Sequence, residues 1–247
     1  MMANSVLAPV QERGRAALER MGLPTRRQEP WRLTDLKRLE CMAALPLSAD
    51  ASDGSLPFSA DGVLRLVLDG QANPLEGVTL PPGISVLSDA ELKQALGHTL
   101  DRCGCAEAWP VEFNHARSRQ VLALRIRGSV PPLEVVLTGG DGLTATRVLL
   151  LLEEKASLDL LEVVLADGTN AHSHVIEVHL GQESQLRHGF LAMSSGAASL
   201  LTHCAVEQEP RSRYAFTSVV QGWSLGRLEP RVVQVDGQAT TTIKAVS

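Results

Sequence analysis

Residues 175–193 read VIEVHLGQESQLRHGFLAM: an alternating apolar run, a polar turn and a second apolar run. Ile176, Val178 and Leu180 alternate with Glu177 and His179, which gives the first run a single inward face on a β-strand. The unit recurs. VLALRIRG at Val121, VLLLLEEK at Val148, VIEVHLGQ at Val175, LLTHCAVE at Leu200 and RLEPRVVQVDG at Arg227 start at spacings of 27, 27, 25 and 27 residues. Second halves start at Leu133, Leu158, Leu186, Tyr214 and Thr241, spaced by 25, 28, 28 and 27. A polar or Gly/Pro turn divides each pair of halves, as in GSVPP, EEKAS, GQESQ, QEPRSR and DGQAT. Two short strands per unit at a fixed period are the pattern of a parallel β-helix, whose coils cover one another's edges. A β-sandwich also spaces strands every 8 to 12 residues or so, but the paired repeat at a constant step favours the solenoid. Leu122, Leu124 and Ile126 are its inward residues in the first coil.

Upstream of residue 120 the period is different. Val6, Leu7, Val10, Ala17, Leu18 and Met21 recur at helical intervals up to Gly22, and Pro24 blocks continuation. In RQEPWRLTDL (27–36) Pro30 biases Glu29 toward an extended conformation, and Thr34 caps a short helix beginning at Asp35. Trp31 plugs this corner against a neighbour, an anchored turn rather than a ligand site. Pro, Gly, Ser and Asp clusters between Leu45 and Pro82 surround a strand at 63–68, and Ser88 with Glu91 forms a capping box opening another helix. The reading is a mainly β chain: a small mixed α/β N-terminal domain over 1–119, then β-helix coils over 120–247.

Composition excludes several function classes. The net charge of −5 does not suit the neutralisation of many phosphates, so nucleic acid is not expected as a partner. Residues 1–40 hold eight Lys/Arg against five Asp/Glu, and Glu12, Glu19 and Glu29 spoil a transit-peptide pattern. The longest purely aliphatic run is Val148 to Leu152, far short of the roughly 20 residues a membrane span needs. Cys41, Cys103, Cys105 and Cys204 form no disulfide framework in a chain of this length without an export signal, which points to a reducing, cytoplasmic compartment.

Cys and His are the residue types that could hold a metal or act in catalysis here. Cys103 and Cys105 form a C-x-C pair, but no second pair follows to close a four-ligand site. His172 and His174 lie two apart, and His179, His188 and His203 fall in later coils, where stacking could align a metal ladder. Against that, His172 and His174 read as part of a polar turn, and His179 alternates with inward Val178 and Leu180. No G-x-S-x-G elbow and no phosphate loop are present. No catalytic, cofactor-binding or metal residue is therefore assigned, and the isolated chain is expected to bind no metal.

RQEPWRLTDL resembles the E-x-W-[KR]-x-T-[DN]-L motif of the SufB/SufD family of the SUF iron–sulfur cluster assembly system. LADGTNAHSHVIEVHLGQES and GRLEPRVVQVDGQATTTIKA resemble that family's β-helix coils. The short N-terminal part and the lack of a Cys-rich insertion favour the SufD branch over the SufB branch. The resemblance implies a right-handed β-helix and a non-catalytic scaffold role. Its implied partners are a SufB-like β-helix protein, paired through the coils, and a SufC-like ABC-type ATPase; the iron–sulfur cluster is assembled in the complex. Family members run well beyond 247 residues, so the chain is expected to lack its last coils and helical docking domain, and to self-associate or fray at its C-terminal edge. Two other readings stand beside it: a polysaccharide-acting β-helix enzyme, and an interaction module with no cluster role.

Overall fold

The computed structural model describes residues 4–49, 56, 58–166 and 168–247. The first part comprises α1 (Asn4–Met21), a 3-10 turn (Glu29–Trp31), α2 (Leu36–Ala44), β1 (Leu64–Leu68), β2 (Ile84–Val86), α3 (Asp89–Ala95), α4 (His98–Arg102) and α5 (Trp109–Arg117). Ten strands follow: β3 (Leu122–Ile126), β4 (Leu133–Leu137), β5 (Leu143–Leu152), β6 (Ser157–Ala166), β7 (Ala171–Leu180), β8 (Gln185–Ser194), β9 (Ser199–Gln208), β10 (Arg213–Gln221), β11 (Leu225–Gln234) and β12 (Thr240–Val246). They build two six-stranded sheets, β1-β4-β6-β8-β10-β12 and β11-β9-β7-β5-β3-β2. Every pairing is parallel except β2 with β3. This is the parallel β-solenoid the repeat predicts. β1 and β2 extend both sheets across the 119/120 boundary.

The register corrects the repeat alignment. Leu122 pairs with Val148, Val148 with Ile176 and Ile176 with Cys204, so the expected Val148–Val175 match is one residue out and Val175–Leu200 is three out. A one-residue slip exchanges faces, because side chains alternate. In the other sheet Leu158, Leu186, Tyr214 and Thr241 do stack, and only Leu133 shifts, to pair with Leu160.

One corner of the coil carries a repeated left-handed residue. Gly128, Lys155, Glu183, Arg211 and Gln238 all have φ between 60° and 64°, one in each of the five turn segments. The residue after it is small and fully buried at Ala156, Ser184 and Ser212. The backbone therefore reverses outward at the corner and tucks a small side chain under the next coil, at the cost of strain in the non-glycine residues.

The coil interior is a continuous apolar core, in which Leu124, Ile126, Leu150, Val178, Phe190 and Phe216 are buried. The outer face of the β3-to-β11 sheet is covered as well. Trp31, Leu39, Met42, Trp109 and Phe113 pack on Leu143, Ala171, Leu201 and Leu225. Glu177, expected on a solvated face, is therefore fully buried under the helical layer.

The corner segment has a more definite geometry than its sequence suggests. Pro30 sits inside the 3-10 turn with Glu29, and the extended residue is Gln28 (φ −86°, ψ 117°). Asp35, rather than Thr34, caps α2, accepting from the backbone N–H groups of Lys37 and Arg38 at 3.1 and 3.2 Å. Thr34 instead accepts from Arg227 Nη1 at 3.0 Å, and Pro30 O accepts from the same nitrogen at 2.7 Å. The Arg227 guanidinium lies 4.2 Å above the Trp31 ring, whose other neighbour is Trp109, edge-on at 5.8 Å. RQEPWRLTDL is thus a clasp onto β11. The strand expected at 63–68 and the Ser88–Glu91 capping box are both present. The Ser/Asp/Gly stretch at 50–55 lies outside the described residues. No described helix is long and apolar enough to cross a membrane.

Candidate functional site

The five histidines of the coils divide between the solenoid interior and the helix-covered face. His172 and His174, expected in a turn, are on β7, because the true turn precedes Ala171 and the apolar residues at Val175 and Ile176 continue the same strand. Both point inward with Ile176 and Val178, and His188 points inward from β8. All three are buried.

Inside, a polar network replaces the apolar layers. His174 Nε2 lies 2.9 Å from Glu162 Oε1, and His188 Nε2 lies 2.8 Å from Glu162 Oε2. His174 Nδ1 is 2.8 Å from Thr146 Oγ1, and His188 Nδ1 is 3.1 Å from the Tyr214 hydroxyl. Tyr214 is in turn 3.5 Å from Cys204 Sγ. Each Nε2 faces the carboxylate and each Nδ1 faces a hydroxyl, so both ring nitrogens of each histidine and both Glu162 oxygens have partners. Burial alone would raise the Glu162 carboxyl, but the two imidazoles outweigh it and hold the group at about 2. Burial pushes the Cys204 thiol up to about 12, so it is an inert S–H. The network ties β5 through β10 together side chain to side chain, a device that fixes register.

His172, one inward position before His174 on β7, has no such support. Neither ring nitrogen has a hydrogen-bond partner among the described residues, and its ring meets Trp223 edge-on at 6.2 Å. His203, on the outer face of β9, is equally unpartnered. Burial holds both imidazoles down to about 4, and they are neutral at pH 7.

The cysteine pair lies beyond α4. The single Cys103 S–H has two carbonyls within reach, Val206 O at 3.5 Å and Arg231 O at 3.6 Å, and Cys105 donates to Leu100 O at 3.4 Å. The proximity of the two sulfurs lowers the Cys103 thiol and raises that of Cys105. Cys41 is exposed on α2, far in sequence from both.

The outer face also assembles groups the sequence reading kept apart. Arg147 and Glu177 form a fully buried ion pair at 2.7 Å, and both Glu177 oxygens accept the Gly97 N–H, at 3.1 and 2.9 Å. Two residues further along the strands, His179, Glu207 and Glu209 bring one ligand atom each to within 4.8 Å of one another. His179 pairs directly with Glu207 across β7 and β9. That match follows from a 28-residue step, so the corrected register would have revealed it.

Residues 135–247 match the family model described as "SUF system FeS cluster assembly, SufBD core domain". The matched segment begins inside β4 and takes in the coils that carry the interior network. Over this segment the chain is similar to that core domain. No curated protein matches the chain.

Proposed function

We propose that this chain is a non-catalytic scaffold subunit of a SUF-type iron–sulfur cluster assembly complex, on the SufD branch of the family. The observation that carries the reading is the SufBD core match over 135–247, the segment in which the coils stack at their 26- to 28-residue step. The EPWRLTDL segment clasped on β11 agrees with it. In this reading the solenoid pairs with a SufB-like β-helix protein, a SufC-like ABC-type ATPase supplies nucleotide-driven motion, and the nascent cluster is the cargo of the assembled complex. The compartment is the cytoplasm, where the four thiols stay reduced.

The interior of the solenoid fits a scaffold. The groups of the Glu162–His174–His188 network are buried and satisfied by Thr146, Tyr214 and one another, which suits coil register rather than substrate turnover. The test is co-expression with a SufB-like and a SufC-like protein, affinity capture through this chain, and assay of cluster formation on the captured complex. Stoichiometric capture with ATP-dependent cluster formation that drops without this chain supports the scaffold role. Cluster formation at an undiminished rate in its absence overturns it.

A further inference from the structure

We infer that His98, His179, Glu207 and Glu209 form a binding site for one divalent first-row cation of zinc's chemistry, on the helix-covered sheet where α4 crosses β7 and β9. This reverses the expectation, drawn from sequence, that the isolated chain binds no metal. It does not rest on the SUF reading.

The four groups arrive from three separate elements. His179 and Glu207 are paired residues of adjacent parallel strands and so project from the same face. Glu209 follows two residues later, its N–H donating to Leu180 O at 2.9 Å and its carbonyl accepting from Ser212 N and Oγ at 3.2 and 2.7 Å. His98 opens α4, directly after Gly97, whose N–H is held by buried Glu177. The Arg147–Glu177 pair therefore fixes where His98 stands over the sheet.

His179, Glu207 and Glu209 bring one donor atom each to within 4.8 Å of one another, and His98 approaches that trio through Glu207. Metal–ligand bonds of about 2.1 Å at tetrahedral angles hold donor atoms roughly 3.4 Å apart. His179 Nδ1 lies 3.4 Å from Glu207 Oε2, and His98 Nε2 lies 3.7 Å from the same oxygen. Both separations are long for a good hydrogen bond. Glu207 is 4% exposed, and Arg102 Nε holds its other oxygen, Oε1, at 3.0 Å. The arginine thereby orients the carboxylate and leaves Oε2 facing the two imidazoles, the role outer-sphere partners play around metals. Two carboxylates neutralise the ion, and two imidazoles with two carboxylates suit a borderline cation better than magnesium or calcium. His98 and His179 are 59% and 32% exposed, so the ion has an entry path.

The full chain, stripped with a chelator and made metal-free, would be titrated with Zn²⁺ by calorimetry and with Co²⁺ by visible absorption. The expected result is one ion per chain, with a tetrahedral cobalt band and no thiolate-to-cobalt charge transfer. His179→Ala and Glu209→Gln should each weaken binding at least tenfold. His98→Ala, at an exposed position that leaves the sheet intact, should weaken it about tenfold. Cys103→Ser, beside the site, should bind as the parent does. The site is ruled out by the lack of a 1:1 complex, by binding that survives His98→Ala and Glu209→Gln unchanged, or by binding lost in Cys103→Ser alone. Because no partner protein is needed, failure here leaves the scaffold reading standing, and failure of that reading leaves this one.

Discussion

Val178 and Glu177 leave β7 on opposite faces, and both are fully buried. Alternation told which way each points, but not that helices cover the second face. Val178→Asp puts a lone charge in the coil interior, and Glu177→Lys sets a cation against Arg147 and releases the Gly97 loop. Each should cost about 3–5 kcal/mol, whereas a solvated Glu177 would lose under about 1 kcal/mol. Thermal melts of the two variants separate these cases. The unpartnered histidines give a second residue-scale test. Unfolded His172 and His203 take up protons near 6.5, while burial delays protonation to about 4 in the folded protein. Their contribution is complete above pH 6.5 and is lost as pH falls through 6.5 toward 4, at about 1.4 kcal/mol per unit for each. Glu162, held at about 2, keeps its contribution until pH falls below about 4.5. His172→Phe should therefore flatten the fall in urea-unfolding free energy between pH 6.5 and 4, and an unchanged slope would rule out a neutral buried His172.

Among the elements, the repeat and its turns were legible because strand alternation and corner residues recur in the sequence itself. The strand assignment of His172 and His174 was not, since two polar residues after DGTN read as a turn until the pairing with Thr144 and Thr146 is known. The Glu162–His174–His188 cluster was hidden for the same reason: its members lie 12 and 26 residues apart, and only the register turns them toward one another. The opposite corner of the coil makes a sharper demand than the left-handed ladder. Gly222 has φ 78°, and a Cβ there would lie 1.9 Å from Ser194 O. Gly222→Ala is expected to cost well over about 1 kcal/mol, because both conformation and space forbid it. The same change at Gly168, with φ 66° but nothing near its Cβ position, should cost only the conformational part. Equal losses in chemical denaturation would mean that the coil-to-coil approach at Ser194 is looser than described.

Across the whole molecule, the two sheets differ in what covers them. Leu161, Leu165 and Met193 are exposed on the outer face of the β1-to-β12 sheet, while Leu149 and Leu201 lie buried beneath helices on the other. Coils alone would make a quasi-one-dimensional stack, able to fray unit by unit. The helical layer alters that expectation, because its side chains bind more than one coil. Asn114 Nδ2 donates to Thr146 O on β5 and to Ser173 O on β7, at 3.2 and 3.0 Å. Arg227 on β11 closes on Pro30 and Trp31, nearly 200 residues earlier in the chain. Losing any one coil therefore breaks contacts that hold others, and unfolding should be a single cooperative transition. In a Trp223→Phe parent chain, which lacks the tryptophan packed on the coil core, Trp31 and Trp109 fluorescence reports the helical layer, and far-UV circular dichroism at the β-strand minimum reports chiefly the strands. The two urea curves should coincide in the parent chain. Arg227→Ala removes a cation–π contact, two hydrogen bonds to the clasp and the ion pair with Glu229, so it should lower the shared midpoint by the equivalent of about 1–3 kcal/mol. A fluorescence transition that precedes the dichroism change in the parent would show instead that the helices dock as a separate unit on a solenoid that stands without them.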